Sequence, residues 1–180
     1  MDAAAFNGLF DEVVANELAP LGFVPNGRRL VAEDEVSQVA VIRTELRSGP
    51  PVRFTFVLRH RFLRIRDETI PTALPRSASD FPIKVAPSLL ADVVAGRWAY
   101  APVLNAPPAD VIEYRTMAPA DVRRALERLA AVVGAAYPGV LAVWTPARLR
   151  AELAARGSDA WWIERLWLDD YDGYLDRARR

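Results

Sequence analysis

Two adjacent runs, Gln38 to Arg47 and Val52 to Leu63, alternate apolar and polar residues at a period of two, and a chain carrying such a pair is constrained to place them as half-buried strands. Between them Ser48-Gly49-Pro50-Pro51 is a turn, because neither proline can donate to a ladder and glycine tolerates a reversal. The spacing therefore predicts an antiparallel hairpin. In its second strand Val52, Phe54, Phe56, Leu58, His60 and Phe62 share one face, and Arg53, Thr55, Val57, Arg59, Arg61 and Leu63 share the other. The first strand divides into Ala40, Ile42, Thr44 and Leu46 against Val39, Val41, Arg43, Glu45 and Arg47. Ile42, Leu46, Phe54, Phe56 and Leu58 are the expected core row, and Arg43, Arg53, Arg59 and Arg61 the expected outer row.

The flanking segments extend this nucleus into an α+β domain. Asp2 is placed to cap a first helix whose Phe6, Leu9, Phe10, Val13, Val14, Leu18 and Leu21 recur every three or four residues. Pro25-Asn26-Gly27 then turns into a short strand, Arg28 to Glu33, completing a three-strand meander that the helix can cover. Residues 67–87 carry four prolines, so neither helix nor central strand is expected there; the segment reads as a long loop pinned over the core by Ile70, Leu74, Phe81 and Ile83. Ser88 is the expected cap of a short helix ending at Gly96, Trp98 to Leu104 is a candidate strand, and Val111 to Met117 another. Residues 119–180 are mainly helical. Val122, Leu126, Leu129, Val133 and Ala136 form one stripe, Leu149 and Leu153 a second after the Thr145-Pro146 cap, and a last helix starts at Ser158 or Asp159. The expectation is a single domain over residues 1–180: an N-terminal helix, an antiparallel sheet of about four or five strands and a C-terminal helical layer.

Composition excludes several chemistries. With no cysteine there is no disulfide, thiolate nucleophile or Cys-ligated zinc, and with one histidine no H-E-x-x-H site. No P-loop, G-x-S-x-G elbow or dinucleotide fingerprint occurs, so no catalytic residue, metal or cofactor is assigned. The run Leu129 to Ala147 is uncharged over roughly nineteen residues, a spanning length, but Pro138-Gly139 interrupts it and it reads as buried core. The acids Asp11 and Glu12 speak against a secretory signal, and a cytoplasmic location without membrane attachment is expected. Asp169-Asp170-Tyr171-Asp172-Gly173 fails the calcium-loop pattern, since Leu168 and Arg179 stand at its outer positions, and reads as a solvated acidic turn.

Three features remain as candidates. Arg43, Arg53, Arg59 and Arg61 belong to a stretch of local charge roughly +6. Formal net charge is zero and the expected outer face lacks aromatics for base stacking, so an acidic protein is favoured over nucleic acid or another anionic ligand. Because Lys84 is the only lysine, part of the arginine excess reflects codon composition. The last helix carries Ile163, Trp167, Tyr171, Tyr174 and Leu175 on one stripe, with Trp161 and Leu168 off it, either sandwiched between neighbouring elements or anchoring a protein partner or a homodimer. His60, at the end of the phenylalanine row, reads as a partly buried, hydrogen-bonded residue, and it is the only histidine a hydrolase could use.

The element Leu18-Ala19-Pro20-Leu21-Gly22-Phe23, then Gly27 and the strands Val36 to Leu46 and Val52 to His60, resembles the bacterial domain-of-unknown-function 4304 family. Its members share a leading helix, a Leu-x-x-Gly-Phe element and a phenylalanine-rich strand like Phe54-Thr55-Phe56-Val57-Leu58. The resemblance covers about the first sixty residues best. It implies a compact bacterial α+β domain, carries over no catalytic motif, and implies partner binding.

Overall fold

A computed structural model describes residues 1–45, 51–97 and 110–180. Asp2 accepts a hydrogen bond from the Ala5 N–H at 2.8 Å and opens α1 (Ala3–Phe10), which runs through a π turn (Asp11–Ala15) into α2 (Asn16–Leu18). A 3₁₀ turn (Ala19–Leu21) closes the element at Gly22, whose φ of +86° is the left-handed conformation glycine adopts without strain. The reversal delivers Phe23 into the core, edge-on to Tyr137 at 4.9 Å.

The sheet is antiparallel, in the order β1 (Val24–Asn26), β2 (Arg29–Glu33), β3 (Ser37–Glu45), β4 (Val52–His60) and β5 (Ile83–Val85), with β6 (Val111–Ile112) on the same edge of β4 as β5. The expected meander and hairpin are present, and the α+β class is the observed one. Two strand expectations are corrected. The proline-rich segment does contain a strand, β5, paired with Phe56 to Leu58; it lies on the edge, where missing N–H groups upstream cost nothing. The candidate strand Val111 to Met117 ends at Ile112, where the chain turns and packs Tyr114 on Phe6 at 4.4 Å. The candidate strand Trp98 to Leu104 lies outside the described residues, as do Leu46 and Arg47.

The largest correction concerns the faces of β3. Residues opposite one another in an antiparallel pair share a face, and the register pairs Val39 with Leu58, Val41 with Phe56 and Arg43 with Phe54. Val39 and Val41, not Ile42, therefore join the phenylalanine row. Ile42 faces the other way with Ala40 and Val57. That second face is also covered: Leu74 and Phe81 fold over Val31, Ala40 and Val57 in a small separate cluster, and Arg29 ties the covering segment down through the Pro75 carbonyl at 2.6 Å. Leu74 and Phe81 act as pins, whereas Ile70 is exposed.

On the main face, α1, α3 (Leu90–Val94) and α4 (Pro119–Val143) pack with α5 (Pro146–Ala155) and α6 (Trp162–Ala178) around one large cluster. The predicted stripe Val122, Leu126, Leu129, Val133 and Ala136 is buried throughout. Pro138 does not interrupt α4, which continues for a further turn to Val143. An internal proline costs a helix roughly 3 kcal/mol, and here packing on both sides offsets it: Tyr137 sits against Phe23, and Gly139 lies so close to α3 that a Cβ there would stand 2.8 Å from Val94 Cγ1. Ala136 and Val140 keep this turn against the core. Among the described residues α4 alone has the length and apolar character of a spanning helix, with mean hydropathy 1.4. Ser88 does not cap the short helix; its hydroxyl donates to Asp110 at 2.6 Å, and a 3₁₀ turn (Pro87–Leu89) leads into α3.

Candidate interaction surface

The arginine row does not exist as one surface. Arg43 lies on the helix-covered face, its guanidinium over the Phe10 and Phe6 rings at 4.9 and 5.8 Å. Arg53 is half-buried opposite Thr44. Arg61 is exposed and pairs with Glu33 at 3.0 Å. Arg64, further along, holds Asp170 of α6 through both its backbone N–H (2.8 Å) and its Nε (2.7 Å). With Asp172 paired to Arg150 at 2.8 Å, the stretch from Asp169 to Gly173 is not a solvated turn but a pair of tethers, one to the chain leaving β4 and one to α5.

Arg59, expected outside, is fully buried. One Nη donates to the Leu63 carbonyl, while Nε and the other Nη have no partner among the described residues. Burial pushes its pKa down to about 10, with Asp80 opposing the shift. Desolvation in turn raises Asp80, whose Oδ1 is also unpartnered. A buried guanidinium so poorly satisfied contributes little net stability. Accordingly, Arg59→Met is expected to unfold in urea within about 1 kcal/mol of the native chain or above it, and Arg59→Glu to lose about 4 kcal/mol or more. A loss above about 3 kcal/mol for Arg59→Met would contradict this account of the site.

His60 is buried and committed. Its Nδ1 lies 2.8 Å from Tyr171 Oη, and the ring also bonds the Trp144 backbone carbonyl. A carbonyl only accepts, so the nitrogen facing it carries the proton and Nδ1 accepts from the tyrosine hydroxyl. Phe62 stacks on the ring at 5.6 Å and Tyr171 meets it edge-on at 5.5 Å. Desolvation lowers the pKa to about 4, overriding the carbonyl and Asp34, which raise it, while Arg59 lowers it further. The imidazole is thus a neutral crosslink between β4, α6 and the end of α4. Among the described residues no three His, Asp or Glu side chains converge as a metal site.

A different surface emerges where α5 gives way to α6. After α5 a 3₁₀ turn (Gly157–Asp159) intervenes, so α6 begins at Trp162 rather than at Ser158 or Asp159. Glu164 sets this start. Its carboxylate accepts from the Trp161 N–H at 2.8 Å and from Arg156 Nε at 2.9 Å, fulfilling one half of a capping box. Held extended before the first turn, Trp161 is 58% exposed, and Trp162 beside it is 55% exposed. Ile163, Trp167 and Tyr171 point the opposite way, into the core. Leu168 is half-buried against that core and offers little free surface.

Behind Trp161 a cavity of about 20 Å³ is lined by Lys84, Arg156, Glu164, Ser79, Ile163 and Trp167. Lys84 has no hydrogen-bond or ion-pair partner among the described residues. Of the sequence candidates, the structure keeps Trp161 on this surface and places Arg43, Arg53, Arg59, Arg61 and Leu168 elsewhere. It adds Trp162, Lys84 and Glu164. The Trp-Trp pair followed by a glutamate at the third helical position was the available signal; Lys84 had none, because only the sheet brings β5 beside α6. No family model, curated protein or solved structure matches the chain.

Proposed function

We propose that the chain is a non-catalytic protein-interaction module that meets its partner through Trp161 and Trp162. The observation that carries this is the exposure of two adjacent tryptophans on a helix start fixed by Glu164 and Arg156. Tryptophan is the residue most enriched at binding hot spots, and holding such side chains out on a rigid element lowers the ordering cost of association. Trp144 and Trp167 are buried, so the chain does sequester tryptophan where the fold uses it. The commitment of Arg59, Arg61 and Arg64 to internal partners supports this reading over nucleic-acid binding, and the closed neutral His60 supports it over hydrolysis.

Benzoylphenylalanine placed at Trp162 and, as a control, at exposed Glu127 of α4 tests the assignment in host cells. A discrete crosslinked species is expected from position 162 alone; its mass separates a different protein from a second copy of the chain. Identical adduct patterns from both positions would contradict the proposal.

A further inference from the structure

Resting on that binding surface, the geometry points to a partner segment that sets a large apolar side chain on Trp161 and Trp162 and inserts an aspartate or glutamate carboxylate beside Lys84. The cavity behind Trp161 holds about 20 Å³, room for one small polar group and not for a whole small molecule. Its cationic wall is the half-buried Lys84 on β5, which has no acid within ion-pair distance among the described residues. Desolvation lowers the pKa of that ammonium, with Glu164 and Asp80 opposing the shift and Arg66 adding to it. The Glu164 carboxylate, the one acid lining the cavity, is already engaged by Arg156 and by the Trp161 N–H. Lys84, Arg156 and Arg66 thus stand against Glu164 and Asp80, leaving positive charge next to exposed indoles. Ser79 also lines the cavity, its hydroxyl already bonded to that of Ser77. An incoming carboxylate would give Lys84 the partner it lacks, and a charge-assisted bond in a partly desolvated site is stronger than the same bond at an exposed rim.

A random-peptide phage library panned against the full chain tests this, with Lys84→Gln, Lys84→Arg and Trp161→Ala/Trp162→Ala as parallel targets. The native chain and Lys84→Arg are expected to enrich peptides with an acid next to an aromatic or aliphatic residue. Lys84→Gln is expected to keep the apolar preference and lose the acidic one. For a selected synthetic peptide, changing its acid to the amide should weaken binding at least tenfold to the native chain and under twofold to Lys84→Gln. Tryptophan-dependent peptides without acid enrichment, or an equal loss on both chains, would overturn the inference and leave the binding surface standing. Failure to enrich any peptide that depends on Trp161 and Trp162 would overturn both.

Discussion

Trp167→Ala is expected to remove about 4 kcal/mol of stability, a large part of what holds a domain of this size together. The indole is 1% exposed, and its N–H donates to the Arg64 carbonyl at 2.8 Å. Arg64 in turn grips Asp170 one turn along the same helix, so Trp167 and Asp170 clamp the chain leaving β4 onto α6. Truncation to alanine loses the transfer free energy of a large aromatic and leaves a cavity, about 3–5 kcal/mol together. It also strips a partly buried carbonyl of its donor, worth roughly 1 kcal/mol. Trp167→Phe separates the two, retaining most of the ring and forfeiting the bond, with an expected loss of about 1–2 kcal/mol. Trp162→Ala, five residues earlier on the exposed side, is expected within about 0.5 kcal/mol of the native chain. Urea midpoints at constant slope read all three. A loss below about 1 kcal/mol for Trp167→Ala would contradict the packing of α6 described above.

The second large effect is on pH dependence. His60 has a pKa of about 4 in the folded chain against an ordinary value of 6.5. Between these values the unfolded chain binds the proton and the folded one does not, so stability rises with pH across that window. The contribution is fully present above pH 6.5, falls as the pH drops, and is gone by about pH 4. A difference of this size corresponds to roughly 3 kcal/mol. His60→Gln is expected to lose some stability at neutral pH and to flatten this part of the profile, isolating the imidazole from the carboxylates that titrate below it. Tyr171→Phe removes the hydroxyl that donates to Nδ1 and is expected to destabilise by about 1 kcal/mol near neutral pH. A native profile and a His60→Gln profile that run parallel from pH 7 to 4.5 would show that the ring is solvated.

Most of the fold was legible because it rests on periodicity. Val122, Leu126, Leu129 and Val133 announce α4, and the phenylalanines at 54 and 56 announce β4, since a buried stripe or row must repeat with its element. What was not legible depended on relations between segments. In β3 both rows are apolar, Val39 and Val41 against Ala40 and Ile42, and only the pairing with β4 decides which meets the helices. That same pairing sends Arg43 to the aromatic side, where the Phe6 and Phe10 faces receive it. The burial of Arg59 required knowing that Leu74 and Phe81 close over the second face of the sheet, a tertiary fact with no local signature. Pro138 misled for the converse reason: a strong local rule was overridden by packing at Tyr137 and Gly139. Of the site, Trp161 was visible as an off-stripe aromatic. Trp162 and Lys84 became meaningful only when the helix start and the edge strand were seen side by side.

The central claim is that the indoles at the start of α6, not the arginines of the sheet, form the contact surface. It is tested most directly by titrating the partner captured at position 162 against two double variants of the full chain, Trp161→Ala/Trp162→Ala and Arg53→Glu/Arg61→Glu. Arg59 is left native because its charge reversal would act through folding. The tryptophan pair is expected to weaken binding about a hundredfold or more, as loss of two hot-spot side chains does, and the arginine pair to change it less than about threefold at physiological salt. Binding that survives the tryptophan changes and collapses with the arginine changes would contradict the account.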